Sequence, residues 1–78
     1  MPTVKNIPGP YRFFFYSFDC NEPKHIHIKR ENMVCKFWLD PVSLSENFGF
    51  TPTELNRIQK LIYTNIESLI SAWHEHCG

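Results

Sequence analysis

The segment from His25 to Leu39 constrains this chain more than any other. His25-Ile26-His27-Ile28 alternates imidazole with aliphatic side chains, and alternation resumes from Met33 to Leu39 after Glu31-Asn32. A period of two is the signature of a strand with one apolar face. Two such runs separated by two residues read as a β-hairpin. Asn32 suits the positive φ that such turns demand, and Glu31 suits it less. With a two-residue turn, Arg30 pairs with Met33. Ile28 then sits opposite Cys35, His27 opposite Lys36, Ile26 opposite Phe37 and His25 opposite Trp38. One face collects Ile26, Ile28, Cys35, Phe37 and Leu39. The other collects His25, His27, Lys29, Lys36 and Trp38. A slip of one residue would reverse the faces of one strand, so the whole sorting depends on register.

The flanks are less definite. Pro8-Gly9-Pro10 is a turn or an extended entry that stops regular structure. Tyr11 to Phe18 is an aromatic strand with two apolar faces, which implies a central position or a partner covering one face. Asp19 to Pro23 is a loop by composition. Asp40 to Asn47 reads equally as a short strand through Val42 and Leu44 or as a turn of helix.

The last third carries a helix signal. Thr51-Pro52-Thr53-Glu54 places Thr at the N-cap, Pro at the first helical position and Glu at the third. Phe50 and Leu55 have the spacing of a hydrophobic staple. Leu55, Ile58, Ile62, Ile66, Leu69, Trp73 and Cys77 then recur at threes and fours, an amphipathic stripe. A continuous helix from Pro52 to Cys77 would be about 39 Å long, whereas a seven-residue strand spans about 23 Å. Either the helix breaks near Thr64-Asn65, or its end packs on another chain. The expected fold is α+β, one small domain over residues 1–78: an antiparallel sheet of three or four strands with one long C-terminal helix on one face. The stripe's end, Leu69, Ile70 and Trp73, is the expected interface of a homodimer or of a complex with a small partner.

Seventy-eight residues approach the lower limit for a self-supporting core. Seven Phe, three Tyr and two Trp compensate, because aromatic side chains bury the most area. Eight basic residues balance eight acidic ones, so nothing pulls the chain as a whole toward nucleic acid or an anionic membrane. No apolar run is long enough to span a bilayer. Three cysteines without a framework spacing and no signal-like N-terminus point to the cytoplasm and to free thiols, with Cys35 a small core hydrophobe.

Two chemistries suit the histidine face. His25 and His27 can serve as acid and base in metal-independent RNA cleavage, with Lys29 and Lys36 on phosphate and Trp38 stacking a base. The pair can instead hold a metal, but only with a third or fourth ligand from Asp19, Cys20, His74 or His76. His74 and His76, two apart on a helix, do not share a face and read as solvated residues near its C-terminus. With three glycines and no Gly-rich phosphate loop, no cofactor is expected, the metal at His25 and His27 being the alternative.

Several segments together resemble a bacterial family known as domain of unknown function 4160 (DUF4160). They are the opening MPTV, FFFYSFD, Asn21 to His27, KFWLDPV, ENFGFTP before the helix, and the terminal ESLISAWHEHCG. Pro23-Lys24-His25-Ile26-His27 is similar to that family's Pro-Pro-His-x-His segment, with Lys24 at the second proline. A Tyr or Gly pair common after the motif is absent, and Glu31-Asn32 makes the turn instead. The resemblance implies a small cytoplasmic bacterial α+β protein. It also implies a toxin–antitoxin-like setting, with a small antitoxin-like partner of the domain of unknown function 2442 type. It supplies no activity. The two expectations carried forward are a toxin–antitoxin-like module that binds a partner protein and binds or cleaves RNA, and a non-catalytic metal-binding or interaction module.

Overall fold

The computed structural model describes residues 3–78, so the first two residues of the MPTV opening lie outside the described residues. Five strands form one antiparallel meander in chain order: β1 (Thr3–Val4), β2 (Arg12–Phe14), β3 (His25–Arg30), β4 (Met33–Leu39) and β5 (Val42–Phe48). A 3₁₀ turn, Asp19–Asn21, interrupts the β2–β3 connection, and two helices follow the sheet, α1 (Pro52–Thr64) and α2 (Ile66–Cys77). The α+β class is as expected, but the sheet has five strands rather than three or four. The short β1 and the ambiguous Asp40–Asn47 segment supply the additional pairing.

The hairpin register is the expected one at all five named pairs, from Arg30 opposite Met33 to His25 opposite Trp38, with Lys29 opposite Val34 between them. Glu31 takes the positive φ of the turn, at 55°. Ile26, Ile28, Cys35, Phe37 and Leu39 form one buried face and join Phe13, Phe15, Phe50, Ile58, Ile62, Leu69 and Trp73 in the core. Phe14 points to the other face and is equally buried, against Tyr16 and His27 and beneath Arg12. Both faces of the aromatic strand are therefore covered by this chain itself, between β1 and β3. Gly49 has φ +106°, and a Cβ there would meet Met33 Cγ at 2.9 Å, so the β5–α1 corner requires glycine.

Thr51 caps α1 by accepting the Glu54 N–H at 3.2 Å. The Glu54 carboxylate does not complete a capping box. It accepts from the Tyr11 hydroxyl at 2.7 Å and from Arg30 at 2.9 Å, tying α1 to the sheet. The helical stripe breaks at Asn65, whose side-chain amide donates to the Leu61 carbonyl at 2.8 Å. This is the break that the length mismatch allowed, and it corrects the single long helix. The bend turns α2 back over the sheet, leaving Leu69 fully buried and Trp73 6% exposed. The Trp73 ring packs against Phe15 and His25, and Ile70 is half-buried. Leu69 and Trp73, on which the expected interface rested, are thus interior to this chain, while Ile70 keeps partial exposure.

Candidate metal centre

The β2–β3 connection folds back over the start of β3. Asp19 Oδ2 accepts the Tyr16 N–H at 2.8 Å, and the Asp19 and Glu22 amides close the turn on the Tyr16 and Asp19 carbonyls. This closure onto the preceding backbone aims the Asp19 carboxylate inward, where it is only 4% exposed. Two residues into the sheet, strand alternation brings His25 and His27 to the same place. Their rings lie 5.1 Å apart, and their Nε2 atoms stand 3.2 Å from Asp19 Oδ1 and 3.1 Å from Asp19 Oδ2. One ligand atom from each residue lies within 4.8 Å of the others.

The protonation pattern is specific. His25 Nδ1 lies 2.8 Å from the Pro23 carbonyl. A carbonyl only accepts, so Nδ1 carries the hydrogen, and on a neutral ring Nε2 is a bare lone pair. Among the described residues, the Nε2 atoms of His25 and His27 are the buried side-chain polar atoms without a hydrogen-bond partner. Each is within ion-pair distance of a carboxylate oxygen, yet neither makes a well-aligned hydrogen bond to it. A bare ring nitrogen crowded beside an ionised carboxylate at that distance repels it unless a cation shared by both neutralises the charge. The separations agree with ligands about 3.3 Å apart around a tetrahedral ion with bonds of about 2.0–2.2 Å. A ring N–H given to a backbone carbonyl while the opposite nitrogen faces the site is the usual support for a metal-bound imidazole.

The charge state points the same way. Burial lowers the pKa of His27 below its ordinary value, outweighing the attraction of Asp19, so the ring favours its neutral, ligating form. Burial also pushes the Asp19 carboxyl up, but its pKa lies below its usual range, with the hydrogen bond from the Tyr16 N–H the leading opposing cause. The surroundings are aromatic: Phe14 stacks on His27 at 5.5 Å, Tyr16 meets it edge-on at 4.7 Å, and Trp38 and Trp73 flank His25. His27 alone opens outward, into a cleft of about 200 Å³ lined by Tyr16, Lys36, Glu46 and Phe48, among others.

The expected basic face is not open. His25 is fully buried. Lys36 pairs with Glu22 at 2.6 Å and lies 4.5 Å over the ring of Trp38, which is itself half-buried. Lys29 is exposed and stands apart. Asp19, one of four candidates for a third ligand in the sequence, is the one that joins the pair. Its signal was weak, because a carboxylate in a polar loop is ordinary. The expectation of three free thiols also fails: Cys20 is bonded to Cys77, and only Cys35 is free and buried. His76 is likewise not simply solvated, since its Nε2–H donates to the Tyr16 carbonyl at 2.9 Å and its ring stacks on Phe15.

Fold and cluster together define a small α+β meander with a buried two-histidine, one-carboxylate triad at one end. A family model described as "Domain of unknown function (DUF4160)" matches residues 11–74, and the chain belongs to that family. The match includes Asp19, His25 and His27 and stops short of His76 and Cys77. No curated protein and no solved structure matches the chain. Among the described residues, no helix is long and apolar enough to cross a membrane.

Proposed function

We propose that this chain is a metal-binding module that holds one divalent first-row transition metal through Asp19, His25 and His27. The observation that carries the reading is the pair of buried Nε2 atoms without hydrogen bonds, converging on one buried carboxylate. Leaving two interior nitrogens unsatisfied costs about 1–3 kcal/mol each, and a bound cation removes that cost. Imidazole and carboxylate together suit Zn²⁺, Fe²⁺, Ni²⁺ or Co²⁺ rather than Ca²⁺ or Mg²⁺, which prefer all-oxygen shells. Each residue has a defined part. Asp19 supplies the charge, His25 is fixed in its tautomer by Pro23, and His27 places the metal beside the outer cleft.

The acid–base reading of the same histidines, in a toxin–antitoxin-like module acting on RNA, has less support. A proton donor must reach its substrate within about 3 Å or through one water, and the His25 ring is sealed beneath Trp38, Trp73 and the Asp19 turn. The metal reading is tested by elemental analysis of protein purified without a histidine tag. With the Cys20–Cys77 disulfide intact, about one equivalent of a transition metal is expected, lost in a variant carrying His25→Ala and His27→Ala. Protein that takes up no stoichiometric Zn²⁺ on dialysis, with its fold intact, overturns it.

A further inference from the structure

A second three-ligand corner lies at the surface beside the Asp19 turn. Cys20, the residue after Asp19, is joined to Cys77 at the last turn of α2, with a Cα–Cα separation of 5.4 Å. His76 precedes Cys77, and one ligand atom from each of Cys20, His76 and Cys77 lies within 4.8 Å of the others. The Nε2–H of His76 is given to the Tyr16 carbonyl, so Nδ1 is the ring nitrogen left to ligate. This repeats the carbonyl-supported histidine of the interior cluster. Cys20 is exposed, so reductants and metals reach the corner from solvent.

We propose that, once the Cys20–Cys77 disulfide is reduced, the chain binds a second divalent metal at this corner through the two cysteine thiolates and His76. The balance is simple. A dithiol reductant gives two electrons and two protons to the disulfide, leaving two thiols on this chain and a disulfide on the reductant. The metal then displaces both thiol protons to solvent and forms two metal–sulfur bonds, with no further change of oxidation state. Two thiolates and an imidazole are the donor set of zinc-type sites, which take a fourth ligand from water or another group. The corner therefore has two mutually exclusive closures. In oxidising conditions a covalent bond joins the Asp19 turn to the end of α2, and in reducing conditions a metal ion makes the same join. Thiol–disulfide poise decides between them.

Cobalt separates this site from the interior one, because thiolate ligands give Co²⁺ an intense near-ultraviolet charge-transfer absorption and imidazole and carboxylate do not. The full chain is reduced anaerobically with a phosphine, freed of reductant and titrated with Co²⁺. The absorption is expected to saturate at one equivalent, to be absent from the oxidised chain, and to be removed by Zn²⁺. It should persist in Asp19→Asn, which disables only the interior cluster, and in Cys35→Ala, which removes the buried thiol. It should vanish in Cys20→Ser and in Cys77→Ser, which approach the corner from opposite sides. His76→Ala should weaken Co²⁺ binding about tenfold or more while leaving the disulfide able to form. A reduced chain with native tryptophan fluorescence and no charge-transfer absorption overturns the proposal. So does an absorption that survives both cysteine variants, or one seen only after native fluorescence is lost.

Discussion

Replacing Asp19 by Asn separates a metal site from a buried ion cluster by the sign and size of the stability change without metal. Asp19 is 4% exposed and lies 3.2 and 3.1 Å from two ring nitrogens. If those rings were imidazolium ions, Asp19→Asn would strand buried positive charge and cost about 3–5 kcal/mol. If they are neutral ligands, the introduced amide is a better neighbour than the carboxylate in the absence of metal. Its oxygen can keep the Tyr16 N–H, and the negative charge beside the two bare nitrogens is removed, which offsets small losses of fit. The metal-free variant should therefore stay within about 1 kcal/mol of the parent. Zn²⁺ at 100 times the parent's Kd stabilises the parent by about 2.7 kcal/mol. If the lost ligand weakens binding about 100-fold, the same Zn²⁺ stabilises the variant by only about 0.4 kcal/mol. Urea unfolding of chelator-treated protein, with the disulfide intact and with or without Zn²⁺, measures both quantities. A metal-free loss of 3 kcal/mol or more refutes the reasoning, as does equal Zn²⁺ stabilisation of both proteins.

Trp73→Ala empties a site packed against Phe15 and His25 and should lower folding stability by about 3–5 kcal/mol. The parent's urea midpoint should not change over a tenfold range of protein concentration; a loss below about 1 kcal/mol, with a midpoint that rises with concentration, would return Trp73 to an interface. Burial pushes the Cys35 thiol up to about 12, so iodoacetamide at pH 8 should leave the folded, non-reduced chain unlabelled, and unfolding without reductant should expose one reactive thiol by mass spectrometry. The Tyr11 hydroxyl, followed by Arg30, holds the Glu54 carboxyl below its usual range. Its contribution to stability is present above the unfolded-state pKa and disappears as pH falls through the lower folded-state value. Glu54→Gln should accordingly be less stable than the parent at pH 7, with the difference shrinking toward pH 3 in parallel urea titrations; a pH-independent difference would deny the carboxylate that role.

Local chemistry determined the hairpin and the first helix. The two-residue spacing around Glu31-Asn32 set the register, and period-two alternation divided Ile26, Ile28, Cys35, Phe37 and Leu39 from His25, His27, Lys36 and Trp38. These are short-range consequences of strand geometry, and they survive whatever else the chain does. Thr51 and Pro52 marked the start of α1 for the same reason. The DUF4160 family match is also a property of sequence alone. Tertiary structure decided what lies across the histidines. Alternation says only that two side chains share a face, and it is silent on whether solvent or protein covers them. The Asp19 turn covers them because Tyr16, Cys20 and Glu22 return the β2–β3 connection to the sheet through contacts with its own backbone, Cys77 and Lys36. Trp73 reaches the same place only because the stripe breaks at Asn65 and α2 turns back. Cys20 and Cys77 are 57 residues apart, and no spacing rule joins them. Partners so distant in sequence meet only after the sheet and both helices are in place. That is why an open basic face in the sequence becomes a closed histidine–carboxylate cluster in the fold.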